Sequence, residues 1–212
     1  MGLFSITIFV FTVWWSFRSK NLSPEIQNKK TWIDGSYVND EKEGLWVGWH
    51  ENKQQWFKSY YEDGKLEGNW VEWYENGQKR IDGNYVNGKK EGLWMGWHEN
   101  GKKWFEAYYN AGKEEGLHTN WSPEGSKQLQ GNYKQGMKDG VRTNWYYTGE
   151  KSSETNWKCD VKHGLHIWWY INGQKSTQEL YKAGEPDGVW CRWDIEGNII
   201  EAKRYKDGEQ VK

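Results

Sequence analysis

Four groups of side chains in this sequence could do chemistry. His163 and His166 lie close enough in sequence to belong to one metal site, given further ligands. Glu43, Glu67, Glu91, Glu115, Asp139 and Asp187 form an acidic series, and paired carboxylates can act as general acid and base. Cys159 and Cys191 are the only thiols. The 18 tryptophans can stack on sugars or cations, or anchor a protein interface.

Most of this potential dissolves on inspection. Residues three apart in an extended strand point to opposite faces, and no cysteine or carboxylate pattern accompanies His163 and His166, so neither metal nor cofactor is expected. His50 and His98, like His118 and His166, occupy equivalent places in a repeat and follow from its copying. Each acidic residue precedes a glycine in a turn, usually beside Lys42, Lys90 or Lys138, which describes a solvated turn. No Ser or Cys has a nucleophile context and no glycine-rich phosphate loop appears, so no enzyme is expected. The two cysteines hold different repeat positions and are read as free thiols, in keeping with a reducing compartment.

The elements that position these residues follow from one period. Gly44, Gly68, Gly92, Gly116, Gly140, Gly164 and Gly188 are spaced by 24 residues without insertion. Five residues after each stands a tryptophan: Trp49, Trp73, Trp97, Trp121, Trp145, Trp169 and Trp193. A second aromatic series, Tyr37, Tyr61, Tyr85, Tyr109, Tyr133, Trp157, Tyr181 and Tyr205, has the same period. A third series marks turns at Gly77, Gly101, Gly125, Gly149, Gly173 and Gly197, with Lys53 as the exception. Half a repeat leaves room for a strand and a turn but no helix, and connections this short make neighbouring strands antiparallel. The expectation is all-β: an elongated, single-layer antiparallel meander of tandem hairpins, about 15 strands over residues 32–208. Glu75-Asn76-Gly77 suits a type I turn with a G1 bulge. An odd loop of this kind predicts that Val71, Trp73, Ile81 and Tyr85 share one face, with Trp and Tyr rows near its two edges. A one-layer sheet with an aromatic face must curl, dimerise or bind something to cover it.

Composition agrees. Leu, Ile, Val and Phe make up about one residue in six, too few for an ordinary core. Yet 18 Trp and 13 Tyr at a net charge of -1 exclude a solvated coil. Basic and acidic residues number 29 and 30 and are well mixed, so no nucleic-acid partner is expected. Leu3 to Phe17 carries no charge, and residues 1–17 read as a hydrophobic anchor or signal-like segment, helical, with Trp14 and Trp15 at an interface. Arg18, Lys20, Lys29 and Lys30 in the 18–31 linker place the body on the cytoplasmic or organelle-matrix side, cleavage and export being the alternative. Residues 209–212 form a tail.

Units such as Gly83–Gly116 (GNYVNGKKEGLWMGWHENGKKWFEAYYNAGKEEG) resemble MORN repeats, in particular the bacterial variant with the pattern G-x-W-x-x-W-Y-x-N-G-K, an antitoxin-type family. The resemblance covers about residues 32–208. It implies an elongated antiparallel sheet and a non-catalytic interaction or membrane-associated module. Lys53, Asp40 and the stretch Trp157-Lys158-Cys159-Asp160 depart from the pattern, and distorted hairpins are expected there. Beyond the framework, Trp46, Trp70, Trp94 and Trp190 lie two after the repeat glycine, opposite the main Trp row, where the middle repeats carry His118, Arg142 and His166. Trp32, Trp56 and Trp104 form a further column. These two columns are the candidate binding residues, either recognising a partner or packing over glycines of neighbouring strands. The leading function is a scaffold holding an unidentified protein partner at a membrane through residues 3–17, in an immunity or antitoxin role. A carbohydrate or cell-envelope module and a structural subunit of a membrane complex are the alternatives.

Overall fold

The computed structural model describes residues 32–212. They form one open antiparallel sheet of 18 strands, a meander in which successive hairpins pair in chain order. The first half comprises β1 (Trp32–Val38), β2 (Glu41–Trp49), β3 (Gln55–Glu62), β4 (Lys65–Trp73), β5 (Lys79–Val86), β6 (Lys89–Trp97), β7 (Lys103–Asn110), β8 (Lys113–Glu114) and β9 (Gly116–Trp121). The second comprises β10 (Lys127–Lys134), β11 (Met137–Trp145), β12 (Lys151–Lys158), β13 (Val161–Trp169), β14 (Lys175–Lys182), β15 (Glu185–Pro186), β16 (Gly188–Trp193), β17 (Ile199–Lys206) and β18 (Glu209–Val211). The count exceeds the expected one because Glu115 and Asp187 each interrupt a strand, and because part of the expected tail pairs with β17. The hydrophobic segment 1–17 and the linker lie outside the described residues. Among those described, no helix is long and apolar enough to cross a membrane.

Two turn types alternate along the sheet. At one border, Asn87 and Gly88 (φ 50° and 74°) form the two-residue type I′ turn that matches strand twist. At the other, Glu75-Asn76-Gly77 closes as read from sequence: Gly77 N–H donates to Tyr74 O at 2.9 Å and Gly77 has φ 81°. The repeat glycines have a third role. Between Lys58↔Val71 and Tyr60↔Glu67, β4 gains two residues on β3, and Gly68 occupies that bulge at φ 71°.

The structure corrects the expected faces. Trp73 pairs with Lys79, but Glu72 pairs with Ile81, so one extra residue, Arg80, enters β5 just after the turn. Side chains alternate with period two, so this shift reverses the face of everything beyond it. Tyr85 therefore shares a face with Trp70, through Gly68↔Tyr85 and Trp70↔Gly83, while Val71 and Trp73 lie on the other. The same shift recurs beside Trp49, Trp97, Trp145, Trp169 and Trp193. The Trp and Tyr rows thus lie on opposite faces of the sheet.

The hairpins expected to be distorted are regular. Asn39-Asp40 and Cys159-Asp160 hold both residues at positive φ (51° and 66°, 50° and 64°) without glycine, and Lys53 sits at φ 69°. Neighbouring turns hold them: Asp160 N–H donates to Lys138 O at 3.0 Å, as Gly64 N–H does to Lys42 O at 3.1 Å. Left-handed backbone costs a lysine about 1–2 kcal/mol. Replacing Lys53 with Gly should therefore raise stability by about 1 kcal/mol, measured as an upward shift of the urea midpoint with unchanged slope.

Candidate functional site: the two faces of the repeat sheet

On the face of the tyrosines the aromatic rings form a ladder. Tyr37 meets Trp46 edge-on at 5.1 Å, and Trp46 meets Tyr61 at 5.8 Å. Phe57 stacks on Trp70 at 5.6 Å, and the contacts continue through Tyr85 and Trp94 to Tyr109. Lys42 and Lys90 place their ammonium groups 4.4 and 4.2 Å from the Trp46 and Trp94 ring centroids. Trp94 is 2% exposed and Trp46 7%. Each ring lies over a glycine of the preceding strand, Gly83 and Gly35, whose missing side chains leave the space it fills. Of the two roles weighed for this column, Trp46 and Trp94 take the packing role. Their rings are too buried to offer a face to a partner, while Trp70 and Trp190 stay half-buried.

Trp56 and Trp104 are the extra residues of the hairpin bulge, equivalent to Arg80. Both turn onto the ladder face, edge-on to Phe57 and Phe105 at 5.1 Å, and Trp104 stays 37% exposed. Trp32 does not belong with them. No hairpin precedes it among the described residues, so no bulge turns it, and it stacks on Trp49 at 5.8 Å on the opposite face.

The middle repeats replace the ladder tryptophan with polar groups. His118 sits between Glu114 Oε1 (3.1 Å) and Asn120 Oδ1 (2.8 Å), and Glu114 also accepts from Tyr109 Oη. Burial, and then the Glu114 charge, push the Tyr109 hydroxyl up to about 12. Arg142 lies against Gly131 and reaches Tyr133 Oη at 3.4 Å. His166 is buried, bonded through Nδ1 to Thr155 Oγ1 at 3.0 Å, and its ring centroid lies 3.7 Å from that of Trp168. Its Nε2 has no hydrogen-bond partner. Burial, reinforced by the charge of Lys162, lowers the His166 pKa to about 4.

The other face carries the framework tryptophans. From Trp97 onward each ring is capped by a lysine of the preceding hairpin: Lys79 on Trp97, Lys103 on Trp121, Lys127 on Trp145, Lys151 on Trp169 and Lys175 on Trp193, at 5.5–5.9 Å. Three of these lysines also pair with the residue three further on, as Lys79 does with Asp82 at 2.6 Å. This Lys-x-x-acid signal, at Lys79, Lys103 and Lys151, recurs in step with the repeat and is legible in the sequence alone. The acidic series proves more structural than a solvated turn. Glu43, Glu67, Glu91 and Glu115 each accept the backbone N–H of the next type I′ turn, at 2.7–3.1 Å. The turns of the other border are linked likewise, Asn52, Asn76, Asn100 and Asn172 each donating to a carbonyl of the following turn. Both thiols are free. Among the described residues no three His, Cys, Asp or Glu side chains gather as metal ligands.

Repeated hairpins, a tryptophan row and glycine bulges on one period are the features of a named repeat. The family model described as MORN repeat variant matches residues 57–68, 66–87 and 90–111. These stretches run from Phe57 in β3 through β7 and hold the most regular part of the ring ladder. MORN repeats suggest a repeat scaffold or binding module, and one sheet with two long patterned faces is consistent with that. No curated protein matches the chain.

Two results follow. Trp94→Ala should cost about 3–5 kcal/mol, as for a large buried side chain, while Trp104→Ala should cost under about 1 kcal/mol, both read from denaturant midpoints. For His166 the unfolded chain takes a proton below pH ~6.5, whereas the folded chain resists until near pH 4. The unfolded state then binds more protons, so stability falls as pH drops through that window, by on the order of 2 kcal/mol. Melting curves at pH 7.5 and 4.5 should show this drop in the wild type and a smaller one in His166→Gln.

Proposed function

We propose that the chain is a non-catalytic repeat scaffold that holds a protein partner on its ladder face, at a membrane to which residues 3–17 tether it. One observation carries the reading. Where the ladder column stays half-buried it runs Trp70, His118, Arg142 and Trp190, while the framework tryptophan and the repeat glycine do not change. A constant frame with a varied column can distinguish one partner from another. Beside that column the partly exposed Trp104 and Trp168 offer large rings at the surface, the residue type that dominates binding energy at protein interfaces. The uncharged stretch Leu3 to Phe17 supports membrane association, and the basic residues after it support a cytoplasmic or matrix location for the sheet. The likeness of residues 57–111 to the MORN repeat variant supports a binding role, of which neutralising a toxin is the specific form proposed.

The test is co-purification of the full chain from its native cell, beside a variant with Trp56, Trp104 and Trp168 changed to Ala. Unchanged circular dichroism would show that the variant folds. A partner held by the wild type and lost at least tenfold by the variant is expected, and restored growth on co-expression with that partner would identify it as a toxin. Equal retention by the variant would overturn the ladder face as the binding surface.

A further inference from the structure

At the last ladder tryptophan the repeat pattern breaks in two ways at once. In the first and third repeats the chain sets its own ammonium group on the ladder rings. Lys42 Nζ lies 4.4 Å from the Trp46 ring centroid and 4.7 Å from that of Tyr61. Lys90 Nζ lies 4.2 Å from Trp94 and 4.9 Å from Tyr109. Each ammonium thus meets two aromatic faces at cation–π range. The equivalent rings of the last repeat are Trp190 and Tyr205, 4.7 Å apart, and Pro186 stands in place of the lysine. Lys162 belongs to the neighbouring rings, Trp168 and Tyr181. Leu66 is the uncharged equivalent in the second repeat, but there the carboxylate beside Trp70, Glu72, is already held by the Trp70 indole and by Arg80.

The second change supplies a negative charge. Trp94 lies over Gly83 and donates from Nε1 to Asn84 O at 3.1 Å. Trp190 makes the equivalent bond, to Leu180 O at 3.1 Å, but Glu179 stands where Gly83 does. A side chain at that place keeps the ring from lying on the backbone. Trp94 accordingly meets Tyr85 and Tyr109 edge-on, at 83° and 73°, whereas Trp190 meets Tyr181 and Tyr205 at 49° and 45°. A cavity of about 190 Å³ opens beside the tilted ring, and Glu179, Trp190, Arg192, Glu201, Lys203 and Tyr205 are among the residues that line it. Both cations of this lining are spent on one carboxylate: Lys203 lies 2.6 Å and Arg192 3.4 Å from Glu201. Glu179 accepts from the Tyr181 hydroxyl at 2.9 Å and has no ion-pair partner among the described residues.

We propose that this cavity takes a lysine side chain of the partner, its ammonium group set between the Glu179 carboxylate and the faces of Trp190 and Tyr205. This occupancy depends on a protein docking on the ladder face, as proposed above. The molecule itself shows which cation suits such a pair of rings, since Lys42 and Lys90 fill the equivalent place in two other repeats. An acidic or neutral side chain would leave Glu179 unmatched and the ring faces in water. The partner segment over the last repeat is therefore basic, whereas the half-buried ladder positions before it present an indole, an imidazole and a guanidinium at Trp70, His118 and Arg142.

Butylammonium chloride, the end of a lysine side chain without its backbone, probes the site on the full chain in detergent. The readout is the Trp190 indole N–H resonance, assigned with Trp190→Phe. A saturable shift is expected with butylammonium and none with butanol. Glu179→Gln, nearly isosteric, should weaken that response at least about tenfold. Pro186→Lys should set the chain's own ammonium on the rings, as Lys90 does, and abolish it. In co-purification both variants should lose the partner by a similar factor, with circular dichroism confirming their fold; Glu179→Gln decides alone if Pro186→Lys unfolds. Butylammonium acting no better than butanol would overturn the site. Retention of the partner by both variants, while the Trp56, Trp104 and Trp168 variant loses it, would overturn the site and leave the ladder face standing. Retention by all three would overturn both, and a butylammonium response in that case would reassign the cavity to a free organic cation.

Discussion

A sheet one layer thick has no second layer to bury its side chains against, and this constraint shapes the molecule. Each large ring must find cover among its immediate neighbours on the same sheet. Trp94 does so by lying across Gly83 of the preceding strand, between Tyr85 and Tyr109 and beneath Lys90. Trp46 repeats the arrangement over Gly35, under Lys42. Phe57 and Phe105 use Gly48 and Gly96 in the same way. Rings this large bury 150–250 Å² each, which is how a chain poor in Leu, Ile and Val assembles a core at all.

The two rows of turns complete the arrangement. Each strand touches only its neighbours, as in other repeat proteins, so the stability of each hairpin depends on the next. Glu43, Glu67, Glu91 and Glu115 each accept from the following type I′ turn, and Asn52, Asn76, Asn100 and Asn172 each donate to the three-residue turn after them. His50, Tyr74, His98, Tyr146 and Tyr170 reach the backbone carbonyl of the tryptophan one repeat on. The type I′ border is thus linked along its length, its turn N–H groups each donating to the hairpin before, and the other border is linked over much of it. This also explains why Asp40, Asp160 and Lys53 can hold left-handed backbone: each lies in a border whose next turn, built from ordinary turn residues, is hydrogen-bonded to its own hairpin.

Much of the fold was legible in the sequence because its period is unbroken. The spacing of Gly44 to Gly188 gave the hairpins, their antiparallel order and the three-residue turn at Glu75-Asn76-Gly77. The faces were not legible, since Arg80 and its equivalents look like ordinary strand residues until the pairing shows them as extra. One inserted residue per hairpin moved the tyrosines to the face opposite the framework tryptophans. It also turned Trp56 and Trp104 away from the side that Trp32 occupies. The candidate site was legible in part. The Trp46 column was found, but exposure within it depends on the cross-strand neighbour, and only a structure shows Gly83 beneath Trp94. The exposed apolar side chains Leu45, Leu93, Leu117, Val141, Leu165 and Val189 were not legible, because one Leu or Val in six of the seven repeats makes no run in the sequence.

The core depends on rings lying over bare backbone, and Gly83→Ala tests that most directly. Gly83 lacks the left-handed backbone that would itself forbid alanine, so by strand preference alone the substitution should stabilise by about 0.5–1 kcal/mol. The added Cβ would instead stand 2.7 Å from Cε3 of Trp94 and nearer still to Cδ2 and Cε2. Denaturation of the full chain, followed by tryptophan emission, should show a loss of at least about 2 kcal/mol, with Trp94 forced off the strand. A variant as stable as the wild type, or more so, would contradict the account.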